Sequence, residues 1–345
     1  MKFFEVITAE MVAIIYILGF KVLSFRLKKD NNKCMGGGEL NPYSKRYQEL
    51  FDRRFKGLTH EEIKYTMIEN IRVRSGYKAD LDNPKTFNEK INWLKLYWHD
   101  PIQTICADKI AVRDFVKDKI GEKYLTPIIG TYKNVDEIDF DKLPDKFVVK
   151  SNWGSGQNII CKDKSALNIE ETKQIIKEWL KPEGNHYFWA FEWCYKDIKP
   201  AIIVENYLES ISKSALDYKF LCFMGKPYYC WVSNKYKDIQ ERSFYDMNWV
   251  MQDIELIEWH KMKPEIPVPK PENFDEMISI ATTLCQGFPH VRVDLYRLDD
   301  GTLKFGELTF NTLSGYGKWT PKGVDRKLGD LIDLTNVKKY EIENN

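Results

Sequence analysis

Hydrophobic and polar positions divide the chain into helix-like and strand-like stretches. The first is an uninterrupted apolar run, Met11 to Phe20 (MVAIIYILGF), followed by Lys21, Arg26, Lys28 and Lys29 among further apolar residues. It falls short of the ~20 apolar residues that a spanning helix needs, and Glu5 and Glu10 close it off on one side. Two readings stay open: an interfacial amphipathic anchor with a basic collar, or a first helix packed on the core. Asn31 to Pro42 (NNKCMGGGELNP) has the glycines and polar residues of a linker. From Ser44 to His99 the period is helical, interrupted at Asn83-Pro84. Within it, Phe87, Ile91, Leu94 and Trp98 recur at helix spacing behind Thr86 as N-cap, with Glu89 at the capping-box position. A helix over Asp108 to Ile120, a strand over Pro127 to Tyr132, a strand–loop–strand around FVVKSNWGSGQN and a helix over Ser165 to Lys181 follow. Next come a strand over Pro200 to Leu208 and a hairpin through Met224-Gly225-Lys226. A proline-rich loop leads to a helix over Phe274 to Gly287 and to a last hairpin, Val291 to Asn311. Helices and strands mix without a regular βαβ repeat, so an α+β fold on antiparallel sheet is expected.

That last hairpin, VRVDLYRLDDGTLKFGELTFN, carries an electrostatic oddity. With Asp300-Gly301 as a two-residue turn, Asp299 faces Thr302, Tyr296 faces Phe305, Asp294 faces Glu307 and Arg292 faces Thr309. Alternation places Arg292, Asp294, Glu307 and Thr309 on one side, and two carboxylates directly opposed repel. A four-residue loop would instead slide Asp294 opposite Phe305. Either a magnesium ion lies between the carboxylates, or Arg292, diagonal to Glu307, neutralises them in an ion pair.

Composition narrows the classes. Hydrophobic residues make up 43% and charged residues 30% of 345 residues, enough for a substantial core in two or three domains or one large α/β unit. A net charge of +1 argues against an electrostatic grip on nucleic acid. Seven scattered cysteines without a CxxC pair predict a reduced, cytoplasmic chain, and five histidines without HxxxH spacing argue against a histidine metal site.

Other chemistry-bearing positions are individually weak. Lys150 ends an apolar run ahead of Ser151, Gly154, Ser155 and Gly156, a small loop whose backbone N–H groups suit an anion. An ordinary glycine turn beside a surface lysine explains it as well. Glu205 and Glu209 flank the end of an apolar strand, where a carboxylate would reach an adenine amino group or a ribose hydroxyl; a solvated strand end is the plain alternative. Asp217 and Lys219 in DYKF, and Arg242 in ERSFYD, are charges in strand contexts.

Taken in order, these pieces resemble the ATP-grasp superfamily. Asp108-Lys109 looks like its first lysine segment, Lys150 with its loop like the second lysine and phosphate loop, and Glu205 to Leu208 like the adenine linker. VRVDLY and FGELTFN look like its metal strands. The segments NPKTFNEKINWLKLYWHDPIQTICADKIAVRDFV, FVVKSNWGSGQNIICKDKS, DYKFLCFMGKPYY, SFYDMNW and GELTF resemble the TupA-like branch over roughly Asn83 to Leu334. Its namesake acts in teichuronopeptide synthesis, and members accompany capsule and exopolysaccharide genes. Three positions depart from that pattern: Trp153 stands where a histidine is expected, and Phe191 and Ala201 where arginines are.

The resemblance implies two α+β subdomains sandwiching ATP, after a helical N-terminal region. The corresponding boundaries are 1–30 (hydrophobic and basic segment), 31–43 (linker), 44–125 (helical region), 126–204 (central subdomain), 205–335 (metal subdomain) and 336–345 (tail). It implies a carboxylate–amine ligase working through an acylphosphate, with an amino acid joined to a uronic acid of a surface polysaccharide precursor. By the same resemblance, Lys109 and Lys150 would meet ATP phosphates, and Glu205, Tyr207 and Leu208 the adenine. Glu209 or Asp217 would meet the ribose, with Lys219 nearby. Asp294 and Glu307, completed by Thr309 or Asn311, would hold Mg2+; Arg292 would meet the acylphosphate, with Arg242 as second cation. A sugar phosphotransferase and a non-catalytic nucleotide-binding module of a polysaccharide assembly complex are the rivals. The expected location is the cytoplasm, with residues 1–30 as a candidate contact with the inner membrane face.

Overall fold

The computed structural model describes residues 3–7, 12–17, 20–26, 42–208, 217–236, 239–257 and 267–340. Most of the expected linker, residues 31–41, lies outside the described residues. The fold is α+β, and the chain divides into two compact units.

The first unit comprises residues 1–42, 127–186 and 199–207. It opens with three antiparallel strands, β1 (Phe3–Ile7), β2 (Val12–Ile17) and β3 (Phe20–Arg26), in that order. The apolar run expected to be helical is therefore strand over its described residues, 12–17 and 20. Val12, Ile14, Ile15 and Ile17 are β-branched, which favours the extended chain, and a short apolar run does not separate helix from strand by period alone. Among the described residues no helix is long and apolar enough to cross a membrane.

The same unit holds a four-stranded antiparallel sheet of β4 (Ile128–Tyr132), β5 (Phe147–Ser151), β6 (Asn158–Cys161) and β7 (Ile202–Asn206), in the order β4-β7-β5-β6. Phe147, Val149, Ile159, Cys161, Ile202 and Val204 point to one face and pack against Ile175, Ile176 and Trp179 of a helix, Ile169–Trp179. Asn168 caps that helix by accepting from the Glu171 N–H, and its buried positions 172, 175, 176 and 179 follow helical spacing. Alternation therefore leaves Lys150 and Glu205 together on the other face.

The second unit comprises residues 43–126, 187–198 and 208–345. In chain order its helices are α1 (Lys45–Arg53), α2 (His60–Arg74), α3 (Phe87–Tyr97), α4 (Pro101–Ala107) and α5 (Val112–Ile120). With the first unit's Ile169–Trp179 as α6 and Tyr187–Ala190 as α7, α8 (Phe274–Leu284) and α9 (Val324–Gly329) follow. The expected capping box at α3 is present, Thr86 and Glu89 each satisfying the other's backbone N–H.

The main sheet of this unit has six antiparallel strands: β8 (Asp217–Phe223), β9 (Lys226–Tyr236), β10 (Ile239–Asp246), β11 (Met251–Gln252), β13 (His290–Arg297) and β14 (Leu303–Thr309). The order is β11-β10-β9-β8-β13-β14, and a small ribbon pairs β12 (Glu255–Leu256) with β15 (Trp319–Thr320). Tyr218, Phe220, Val291, Val293, Leu295 and Leu308 are buried, and Phe274 of α8 stacks on Phe220 with centroids 5.8 Å apart.

The last hairpin forms with one revision. Asp294 does face Glu307 and Arg292 faces Thr309, but Leu295 faces Phe305 and Tyr296 faces Lys304. The loop is one residue longer than expected: the Leu298 N–H bonds the Thr302 carbonyl, the Gly301 N–H bonds the Leu298 carbonyl, and Gly301 is left-handed at φ +85°. A three-residue loop of this kind is a turn followed by a left-handed residue. The register break between Asp294 and Leu295 leaves Gly306 as the extra residue on β14, which restores the pairing that brings the two carboxylates together. A Cβ on Gly306 would lie 3.0 Å from the Asp294 carbonyl oxygen, so a side chain there would push on the Asp294 backbone.

Candidate functional site

Register builds a charged patch on one face of the six-stranded sheet. Lys219 on β8 faces Asp294 on β13, which faces Glu307 on β14, so three charged residues stand in a row across three strands. Leu221, Arg292 and Thr309 form the row on one side; Arg242, Ser233, Asp217 and Tyr296 form that on the other. Residues separated by up to 92 positions, Asp217 and Thr309 among them, are brought to one surface by β-pairing alone.

The patch is tightly paired. Arg292 grips Asp294 in bidentate fashion, Nε to Oδ1 at 2.6 Å and Nη2 to Oδ2 at 2.7 Å, and Nη2 also reaches Glu307 Oε1 at 2.8 Å. Lys219 Nζ donates to Asp294 Oδ2 at 2.6 Å and pairs with Asp217. Thr309 donates its hydroxyl to Glu307 Oε1 at 3.1 Å. Asp294 is 1% exposed, so both its oxygens are committed to cations away from water. Burial raises the Glu307 carboxyl, but Arg292, Lys109 and Lys219 outweigh it and hold the group down at about 2. Burial and the Asp294 charge raise Asp217 against the pull of Lys219. Burial lowers Arg242 to about 10. Asp217 Oδ1 is buried with no hydrogen-bond partner among the described residues, an acceptor left for a donor from outside.

Asn311, the other candidate beside Thr309, is held through its amide nitrogen. It is 5% exposed and its amide meets Cys194 Sγ at 3.5 Å, whereas Thr309 stays beside Glu307. Among the described residues no three His, Cys, Asp or Glu side chains converge as a metal cluster. Asp294, Glu307 and Thr309 instead offer a small all-oxygen donor set, which suits a hard cation that completes its shell with phosphate and water.

The second group of candidates, Lys150 with its loop, Glu205 and Tyr207, lies on the first unit, and Leu208 begins the last segment of the second. Lys150 Nζ donates to Glu205 Oε2 at 2.5 Å, a half-buried pair on the sheet face opposite α6. The loop after Lys150 has a fixed base. The Ser151 N–H bonds the Gln157 carbonyl, and the Asn152 side chain exchanges bonds with Ala201 N–H at 2.9 Å and the Lys199 carbonyl at 2.9 Å. Trp153 is 5% exposed and its indole donates to the Trp179 carbonyl at 2.9 Å. Ser155 and the left-handed Gly156 are exposed at the tip, and Gly154 is buried, its missing side chain leaving room for Gln157. Tyr207 and Leu208 follow β7, and the Tyr207 hydroxyl is buried without a hydrogen-bond partner among the described residues. Glu209 lies outside the described residues.

The departures at Trp153, Phe191 and Ala201 have structural roles. Trp153 and Ala201 fasten the loop base, as above. Phe191 is 3% exposed with φ +54° and packs among Met67, Ile71 and Tyr316.

Several residues of the charged unit escaped sequence reasoning. Trp231 faces Lys219 across β8 and β9, and both Arg292 and Arg242 lie over its ring, at 5.8 and 6.0 Å from the centroid. Glu192 accepts from Ser314 Oγ at 2.6 Å in the loop after β14. That loop is left-handed at Leu313, Ser314 and Gly315 and is fastened by a buried stripe on α3. Lys95 Nζ donates to the Ser314 carbonyl at 2.9 Å, Asn92 to Gly315 at 2.8 Å and Asn88 to Gly317 at 2.8 Å. Ser75 holds the intervening Tyr316 carbonyl at 3.0 Å. Burial lowers Lys95 to about 7. Polar residues at 88, 92 and 95 read as a solvated helix face, and no local signal in the sequence shows the loop they hold.

The TupA-like ATPgrasp family model matches residues 89–333. Among solved structures, N5-carboxyaminoimidazole synthetase from Staphylococcus aureus complexed with ADP is similar at 10% identity, covering 69% of this chain and 53% of that one, with a TM-score of 0.36. L-amino acid ligase from Bacillus licheniformis is 15% identical over 70% of this chain and 52% of its own, with a TM-score of 0.40. The ATP-grasp ligase PsnB, complexed with minimal precursor, Mg and ADP, is 13% identical over 65% and 57%, with a TM-score of 0.33. The chain spans about half the length of these structures. No curated protein matches the chain.

Proposed function

Because this chain belongs to the TupA-like ATP-grasp family, we propose that it is an ATP-dependent ligase joining a carboxylate to an amine. The observation that carries the reading is the cross-strand row Lys219–Asp294–Glu307, with Arg292 bridging the two carboxylates. Asp294 is a buried charge, Lys219 a largely buried one and Glu307 is part-exposed beside them, an arrangement costly to build and suited to phosphoryl chemistry, which demands positioning and charge neutralisation.

On this reading the substrate carboxylate attacks the γ-phosphorus of ATP, ADP leaves, and the amine then displaces phosphate from the acylphosphate. Lys109, whose charge acts on Glu307, and Lys150 meet ATP phosphates. Ser151, Gly154, Ser155 and Gly156 line the phosphate loop. Glu205, Tyr207 and Leu208 meet adenine, the unpartnered Tyr207 hydroxyl being a support for that role. Asp217, with a buried oxygen lacking a partner, accepts from a ribose hydroxyl beside Lys219, and Glu209 is the alternative. Asp294 and Glu307 would hold magnesium, completed by Thr309, which lies beside Glu307, or by Asn311. When bound, the ion supplies charge neutralisation to the phosphate oxygens. Arg292 and Arg242 then orient the transferring phosphoryl group, Trp231 supporting both guanidinium planes.

Family context, and no residue of this chain, supports a uronic acid of a surface polysaccharide precursor as the carboxylate and an amino acid as the amine. Purified protein incubated with Mg-ATP, glucuronate and each amino acid in turn tests the reading. Phosphate release matched by an amide supports the ligase, a stable phosphoester supports a sugar phosphotransferase, and absence of nucleotide binding removes both.

A further inference from the structure

The guanidinium of Arg292 occupies the place where Asp294 and Glu307 converge. Asp294 Oδ1 takes Nε, Oδ2 takes both Nη2 and Lys219 Nζ, and Glu307 Oε1 takes Nη2 and the Thr309 hydroxyl. Magnesium bound at its usual ~2.1 Å to Asp294 Oδ2 or Glu307 Oε1, the two oxygens that each already accept two bonds, would compete with the guanidinium directly. The charges are also already matched: Asp217, Asp294 and Glu307 face Lys219 and Arg292 directly, and Lys109 acts on Glu307 as a further cation. A divalent ion arriving alone would meet a neutralised patch with a buried cation at its centre.

We propose that Arg292 is an internal counter-cation that excludes a divalent ion from Asp294 and Glu307 until a phosphoryl group draws the guanidinium away. The inference rests on the ligase reading above and adds an order of assembly: metal enters with the nucleotide, and metal alone does not bind. The chemistry of arginine suits the exchange. Its planar fork fits a phosphate as well as a carboxylate, so leaving Asp294 for a phosphoryl oxygen trades one charge-assisted pair for another. Trp231 lies 5.8 Å from the Arg292 Cζ and gives the guanidinium an aromatic face throughout. The nucleotide's negative charge compensates the incoming ion, and Lys219 remains on Asp294 to prevent an uncompensated buried carboxylate.

The test uses the full chain and Mn2+ as the probe, its free concentration read by electron paramagnetic resonance. Wild type is titrated alone and with the non-hydrolysable nucleotide AMP-PNP, and Arg292→Met is titrated alone. The expected result is weak, non-saturating binding by wild type alone, saturable binding with AMP-PNP, and metal affinity at least roughly tenfold higher in Arg292→Met than in wild type without nucleotide. Tight binding of Mn2+ by wild type alone, lost in Glu307→Gln, overturns the proposal, as does a folded Arg292→Met that binds metal no better than wild type. If Arg292→Met does not fold, the two wild-type titrations decide between the same outcomes. Failure of wild type to bind AMP-PNP overturns the ligase reading itself, a result separate from tight metal binding in its absence.

Discussion

Asp294 sits at 1% exposure between two cations, so neutralising it leaves Arg292 with Glu307 and Lys219 with Asp217 as remaining partners, an excess of buried positive charge. Asp294→Asn is expected to lower stability by ~3–5 kcal/mol, measured as a shift in urea midpoint, because breaking a buried pair costs more than the pair contributes. His290 gives a pH signature at the same scale. It is fully buried, bonds Thr312 at 3.0 Å, and burial lowers it to about 3 from an ordinary 6.5. A depressed histidine binds its proton more readily when unfolded, so its contribution is complete above pH 6.5 and declines as pH falls toward 3. His290→Gln is expected to flatten the fall in urea midpoint between pH 6.5 and 4.5, above the range in which Glu307 titrates; an unchanged slope would contradict the assignment. Arg292, Asp294 and Glu307 were legible as a group because their types and two-residue spacing fall on strands. Asn88, Asn92, Lys95 and Glu192 were not, since their partners lie in a loop more than 100 residues away in sequence.

At the level of elements, helices announced themselves through caps and periods, α3 most clearly by Thr86 and Glu89. The N-terminal run did not, because an all-apolar stretch carries neither the helical nor the alternating period. In the last hairpin two deviations offset each other. The turn is one residue longer than its Asp-Gly pair suggested, and the bulge at Gly306 cancels the slip before Asp294 and Glu307 meet. Nothing in GELTF distinguishes a bulge glycine from an ordinary strand glycine; the close approach of the Asp294 carbonyl shows it. Gly306→Val is therefore expected to disturb the pairing of the carboxylates, weakening AMP-PNP binding far more than Gly301→Ala. The latter strains only the turn and should cost about 1 kcal/mol of stability. On the first unit, Ile176 of α6 is fully buried, and Ile176→Ala is expected to cost ~2–5 kcal/mol in urea unfolding.

Across the whole molecule, each of the two units carries a cation held on a carboxylate: Lys150 on Glu205 in the first, Arg292 on Asp294 and Glu307 in the second. The order of these motifs along the chain was legible as a family resemblance, and the family match over residues 89–333 agrees with it. Substrate identity was not legible, because no residue here states which carboxylate or amine is chosen. Of the three departures from the family pattern, Trp153 and Phe191 are held by their side chains, and Ala201 meets Asn152 through its backbone N–H. The proposal to be tested is that the row Lys219–Asp294–Glu307 of the second unit takes the phosphates of a nucleotide. Isothermal titration of AMP-PNP with Mg2+ into wild type and Glu307→Gln decides it. One saturable site in wild type and marked loss of affinity in Glu307→Gln are expected. Binding left unchanged in Glu307→Gln, or no saturable binding by wild type, would contradict the proposal.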